Sequence, residues 1–219
     1  MKSRNMNLKK KFKGLAKSSR DVLVVVIGIA ITFSLNNWIS NYNEKKDMQR
    51  YLNAVKIELE DNLKIVDREI DYYQLTAKFR NYLLSHKPED LRMDSLSQSG
   101  YFWIMQEFHF FQYRTSAFEM FKMSGAMRLL QNKSVLSTIW NTYERLEEMK
   151  TENDHYMLKK NETINNLMLK TNITDYSNFL LPEAQELRTF FMIGGSKDEM
   201  FMRCAETIRK TLVELETLK

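Results

Sequence analysis

The sequence predicts an all-α protein in which a single N-terminal transmembrane helix continues into an elongated antiparallel helical bundle. Three observations carry this. Two Pro and six Gly in 219 residues are too few for the turns of a β-sandwich or barrel. With 43% hydrophobic and 28% charged residues, the chain is too apolar to be disordered. Beyond residue 40, apolar side chains recur at spacings of three and four, the period of a helix with one buried face.

Residues 1–20 form a basic leader with eight Lys and Arg and no acid. The remaining 199 residues hold 25 Lys and Arg against 28 Asp and Glu, so the pI of about 9.1 comes from the leader alone. A body with a slight acidic excess is a poor partner for nucleic acid.

Residues 21–39 read as the transmembrane helix. An aliphatic run from Val22 to Leu35 is followed by Asn36, Asn37, Trp38 and Ile39. Eighteen residues from Val22 to Ile39 make a helix of about 27 Å. This nearly matches a hydrocarbon core of roughly 30 Å. Trp38 suits the membrane interface at one end, and the leader's long cations reach headgroups at the other. A buried core helix and a cleaved signal peptide are the competing readings. The first is at odds with eight adjoining cations. The second lacks small residues at a cleavage site, since the run ends in Leu35, Asn36, Asn37 and Trp38. The charge bias puts the N-terminus in the cytoplasm and the remainder outside. Gly28 and Thr32, four residues apart, give one face of the span a small-residue surface suited to self-association. Val22, Gly28, Thr32 and Trp38 are the anchor positions, with membrane lipid as partner.

Residues 40–219 form the extracytoplasmic bundle domain. Leu52, Val55, Leu59, Leu63, Val66, Ile70, Tyr73 and Ala77 trace one stripe of a helix that rises from the span as a stalk and ends near Ser85, before Pro88. Residues 86–100 are a polar connection. The segment 101–113 is dense in rings. Tyr101, Trp103, Phe108, Phe111 and Tyr113 line a ligand or partner pocket or else fill the bundle core. Thr115 and Ser116 cap a helix over 117–124 that Gly125 ends. Asn132 or Ser134 opens a long helix to about Lys170, with Leu136, Ile139, Trp140, Tyr143, Leu146, Met149, Tyr156, Ile164 and Leu167 inward. Pro182 starts a short helix through Met192 that Gly194 and Gly195 break. Ser196 and Glu199 form a capping box for the last helix, which buries Phe201, Cys204, Ile208, Leu212 and Leu215.

Chemistry is thinly represented. The three His residues, His86, His109 and His155, lie in different elements. Glu148, Glu152 and His155 share a helix face, and Glu152–His155 matches one Glu-x-x-His unit. A carboxylate-bridged di-iron bundle needs a second such unit, and the sequence has none. No phosphate loop, dinucleotide turn or nucleophile elbow occurs. No cofactor is expected, and a lone Cys204 excludes a disulfide framework.

Two segments resemble a family of uncharacterised single-pass membrane proteins from Bacteroidota. Asp21 to Trp38 (DVLVVVIGIAITFSLNNW) is similar to that family's span, which has Gly-Glu, an aliphatic run with Val-Ile-Gly-Ile, then Asn-Asn-Trp. Thr115 to Gly125 (TSAFEMFKMSG), followed by Leu129 to Lys133 (LLQNK), is similar to its Tyr-Glu-x-Leu-Lys-x-Ser-Gly stretch and Asn-capped helix. Arg20-Asp21 replaces the usual Gly-Glu, and the Met-rich part after residue 145 departs from the pattern. The resemblance implies a location at the cell inner membrane with a helical periplasmic domain, and it brings no activity. Function therefore reads first as a non-enzymatic, membrane-anchored interaction or scaffold protein, with a protein partner or a second copy. A ligand sensor using the 101–128 aromatics and acting through a partner is the second reading. A metal-dependent enzyme is the third.

Overall fold

The computed structural model describes residues 2–171, 179–180, 182–193 and 197–218, with side chains from Val26 onward except those of Met93 and Thr171. The Val22 and leader side chains, the Gly194–Gly195 break and the Ser196 cap lie outside this set. Every described element is helical: α1 Lys2–Ser85, α2 Met93–Gln98, α3 Tyr101–Gln106, α4 Ser116–Met123, α5 Lys133–Thr171, α6 Gln185–Ile193 and α7 Asp198–Glu216. Short 3-10 turns occupy Pro88–Asp90, Ala126–Leu129 and Pro182–Ala184. The chain divides into two compact units, Met1–Arg50 and Tyr51–Lys219, and α1 supplies residues to both.

In the first unit the described side chains are exposed almost without exception, the large apolar ones from Val26 to Ile39 included. Among the described residues no helix is long and apolar enough to cross a membrane. The part of the apolar run whose side chains are described starts at Val26, four residues after the run begins.

The second unit is built on two heptad seams. On α1 the seam runs through the buried residues Leu52, Val55, Leu59, Asn62, Val66, Glu69, Tyr73 and Thr76, alternating three and four. On α5 the seam runs through Val135, Ile139, Thr142, Leu146, Met149, Asn153, Tyr156, Lys160 and Thr163, all buried. Leu63, Ile70 and Ala77, expected on the α1 stripe, are only half-buried, because the true seam passes through the polar residues beside them. On α7, Phe201, Cys204, Ile208 and Leu215 are buried as expected, and Leu212 is half-buried. Trp140 is largely exposed, with its edge on Phe118 and Nε1 donating to Glu144 at 2.7 Å.

Cross-contacts give the directions. Tyr143 meets Glu58 and Asn153 meets Tyr73, so α1 and α5 run parallel. α7 returns antiparallel, with Phe201 stacked on Tyr73 at 5.2 Å, Arg209 on Asp67 at 2.8 Å and Glu216 on Lys56 at 2.9 Å. The antiparallel arrangement thus holds for α1 against α7, while α1 and α5 are parallel because a further leg lies between them in sequence. That leg is α3, the non-helical segment 107–115 and α4. A second apolar cluster, centred on Phe79, Leu96, Ile104, Phe179 and Phe191, closes the end of the unit where α1 finishes.

Candidate functional site

The segment 107–115 lacks regular structure yet packs against α1 and α5, so its backbone polar groups need partners from side chains. Three buried residues on the two seams provide them, and a fourth beside the α1 seam, Glu58, serves the start of α4. Lys160 Nζ donates to the carbonyls of Ile104 and Glu107. Asn153 Nδ2 donates to His109 O at 2.7 Å, while its Oδ1 accepts from Tyr73 Oη at 2.6 Å. Asn62 pairs with both main-chain groups of Arg114, accepting at 2.7 Å and donating at 2.8 Å. The Glu58 carboxylate accepts from Ala117 N at 2.8 Å, Phe118 N at 3.2 Å and Tyr143 Oη at 2.6 Å. Glu58 therefore caps α4 from another helix, satisfying orphan amides that Thr115 was expected to satisfy; Thr115 itself makes no side-chain cap bond. By contrast Asn132 caps α5 as expected, its Oδ1 accepting from Ser134 N at 3.1 Å and Val135 N at 3.2 Å.

Lys160 is the most unusual of the four. Its side chain is fully buried, with Nζ 4.9 Å from the Phe108 ring centroid, 5.9 Å from that of Phe191, and 3.4 Å from Tyr72 Oη. Desolvation pulls the ammonium down to about 7, opposed by the nearby Glu107 carboxylate. Both protonation states fit the geometry: the neutral amine keeps two N–H donors for the two carbonyls and offers its lone pair to the Tyr72 hydroxyl. A nucleophilic amine needs a path for its substrate, and this one is sealed beneath the segment it holds.

Beside it, the His109 ring stacks on Tyr72 at 4.4 Å. His109 Nε2 lies 2.9 Å from Glu107 Oε2, and Nδ1 lies 4.0 Å from Glu69 Oε1. Burial raises the Glu69 carboxyl, with His109 and Arg68 acting in the opposite direction, and Glu69 Oε2 has no hydrogen-bond partner among the described residues. Burial likewise raises the hydroxyls of Tyr72, Tyr73 and Tyr156 above the ordinary phenol range.

The five aromatics of the expected pocket do not face a common space. Tyr101 packs on Phe79 at 5.0 Å and Tyr82 at 5.4 Å. Trp103 is exposed, Phe108 covers Lys160, and Phe111 is fully buried edge-on to Phe201 at 5.3 Å. Phe111 and Tyr113 stack at 5.9 Å, and Tyr113 Oη donates to Glu147 at 2.6 Å. Two clefts are lined by other residues. One of about 530 Å³ lies among Leu83, His86, Pro88, Gln185, Arg188 and Met192. The other, of about 400 Å³, lies among Tyr51, Ala54, Ile57, Arg114 and Met120. Arg188 Nη1 donates to Phe179 O at 2.6 Å and is committed to the fold. Glu148 pairs with Arg145 and Glu152 with Lys197, both at 2.8 Å, and the described residues contain no cluster able to hold a metal ion. Asn62, Glu58, Asn153 and Lys160 were not singled out from sequence. For Asn62, Asn153 and Lys160 the signal was a heptad step that lands on a polar residue and then resumes; Glu58, one position before the seam residue Leu59, carried none.

In the membrane candidate, Thr32 Oγ1 donates to Gly28 O at 2.8 Å, and Trp38 stacks on Tyr42 at 6.3 Å. No family model, curated protein or solved structure matches the chain.

Proposed function

We propose that the chain is a single-pass, membrane-anchored helical interaction module, with residues 1–20 cytoplasmic, 21–39 in the bilayer and 40–219 displayed on the periplasmic side of the inner membrane. The observation that carries the reading is the helix surface from Val26 to Ile39. Val26, Ile27, Ile29, Ile31, Phe33, Leu35, Trp38 and Ile39 are 48–68% exposed and point to all sides of the helix. A helix apolar all round is stable in a lipid or protein interior and costly in water. The Thr32 hydroxyl is turned back onto Gly28 O and so presents no free donor of its own, which suits hydrocarbon. Trp38 and Tyr42 together supply an aromatic pair at the end of the run, where an interface would lie.

Interaction rather than catalysis is favoured by where the polar groups of the second unit are engaged. The buried Lys, Glu and Asn side chains hold backbone in place, and the five expected pocket aromatics are dispersed. The reading is tested by alkaline carbonate extraction of membranes, a reporter fused after Lys219, and crosslinking in the intact envelope. Carbonate resistance, extracytoplasmic reporter activity and a discrete crosslinked partner or self-adduct are expected. Release by salt alone, or cytoplasmic reporter activity, would overturn it.

A further inference from the structure

The end of the second unit at which its chain begins, marked by Tyr51, has a surface of its own. α4 runs down α1 toward that end: Ala117 and Phe118 meet Glu58, and one turn later Phe121 stacks on Tyr51 at 6.4 Å. The last turn of α4 and the turn that follows therefore form a corner there. Gly125, at φ 71°, makes the reversal that an L side chain would strain. Met120 and Met123 project from the corner 58% and 83% exposed. Arg128 and Lys133 flank them, exposed and without an acidic partner among the described residues.

Charge singles the corner out. Residues 51–219 carry 22 Lys and Arg against 25 Asp and Glu, whereas 114–136 carry four cations and one acid. Unbranched Met side chains beside unpaired cations suit a phospholipid interface, where thioethers enter the headgroup boundary and cations meet phosphates. Only eleven residues, 40–50, separate Ile39 from Tyr51, a tether of at most ~40 Å even fully extended.

We infer that the α4–α5 corner is a second membrane contact, in which Met120 and Met123 insert among the headgroups of an anionic phospholipid surface and Arg128 and Lys133 bind its phosphates. This rests on the proposed span, because the tether keeps the corner near lipid only if residues 21–39 are in it.

The test uses the full chain in vesicles of phosphatidylethanolamine and phosphatidylglycerol at three to one, with lipids spin-labelled near the headgroup. Cys204 is buried, so Met123→Cys takes a thiol-reactive fluorophore selectively. Ile193→Cys, 74% exposed, is the control. It neighbours Met192, which accepts from Arg80, so it sits 29 residues up α1 from Tyr51, about 44 Å. At least twofold stronger quenching at 123 than at 193 is expected, falling to the control level with Arg128→Glu plus Lys133→Glu or in pure phosphatidylcholine. Equal quenching at the two positions, or quenching at 123 indifferent to both charge changes, overturns the proposal. Carbonate-washed retention in the same vesicles reads the span separately: retention with equal quenching refutes the corner alone, and loss of the chain refutes both.

Discussion

Asn62 and Arg114 form a closed pair in which a side-chain amide takes the place of a β-strand neighbour, accepting from the Arg114 N–H at 2.7 Å and donating to its C=O at 2.8 Å. The carboxamide suits this role because it carries a donor and an acceptor side by side. Asn62→Ala leaves both groups without a partner and should cost ~1–3 kcal/mol. Asn62→Asp keeps the acceptor, loses the donor and sets a charge beside Glu58 and Asp61, so it should be no milder than Ala. Denaturant melts of the three proteins rank these outcomes, and an Asp variant as stable as wild type would remove the donor from the account.

Lys160 makes stability depend on pH in a direction that can be worked out. Its ammonium is lowered from 10.5 to about 7 by burial, so between these values the unfolded chain holds a proton that the folded chain has released. Stability therefore rises with pH across that window and is flat, for this group, below it. Lys160→Met lacks the proton and should lack the rise. Unfolding free energies at pH 6.5 and 9.5 for both proteins test this; wild type should gain on the variant as pH increases. A wild type that loses ground would mean the charged form is the better satisfied one.

Glu58 ties three elements together, since α4, α5 and its own helix α1 meet at one carboxylate. Glu58→Ala leaves the amides of Ala117 and Phe118 and the Tyr143 hydroxyl unpaired and should destabilise by ~2–4 kcal/mol. Glu58→Gln retains Oε1 for Tyr143 but turns an NH₂ toward Ala117 N–H, and should fall between. Amide hydrogen exchange gives the local readout: protection at 117 and 118 should drop before that of α7. Uniform loss across the unit would instead assign Glu58 to the global core.

How far the sequence foretold the fold follows from these residues. The long amphipathic helices were legible because Val55, Leu59, Val66, Ile139, Leu146 and Ile208 bury apolar surface against apolar surface, and period alone reports that. Asn62, Glu69, Asn153 and Lys160 were not legible. They share the same seams but face the irregular segment that follows α3, Glu69 its His109 side chain and the others its backbone, and a hydrophobicity pattern records such positions as interruptions. The aromatic segment 101–113 misled for a related reason. Its rings read as one cluster in sequence, whereas α3 ends at Gln106 and the extended chain beyond sends successive rings to opposite sides, Phe110 outward and Phe111 fully inward.

Cys204 is enclosed on α7, and burial pushes its thiol up to about 12. At pH 8 the thiolate is scarce and out of reach of a reagent. Modification by a disulfide reagent should thus proceed only at the rate of unfolding, with denaturant accelerating it steeply. Stoichiometric labelling within minutes under native conditions would show that α7 opens locally from the bundle.

For the membrane helix, two neighbouring positions should differ in their response to substitution. Ile31 is 54% exposed in the middle of the apolar run, and Thr32 keeps its hydroxyl on Gly28 O at 2.8 Å. A charge at the centre of a span costs ~2.5–3.5 kcal/mol of insertion free energy, so Ile31→Arg should move most of the chain to the carbonate-soluble fraction. Thr32→Val exchanges an internally satisfied hydroxyl for a methyl and should leave retention unchanged. The two variants differ from wild type at adjacent residues, so a general disturbance of the helix would affect both. Equal retention of all three proteins would show that residues 21–39 do not sit in hydrocarbon, and the anchor would then have to be sought elsewhere in the chain.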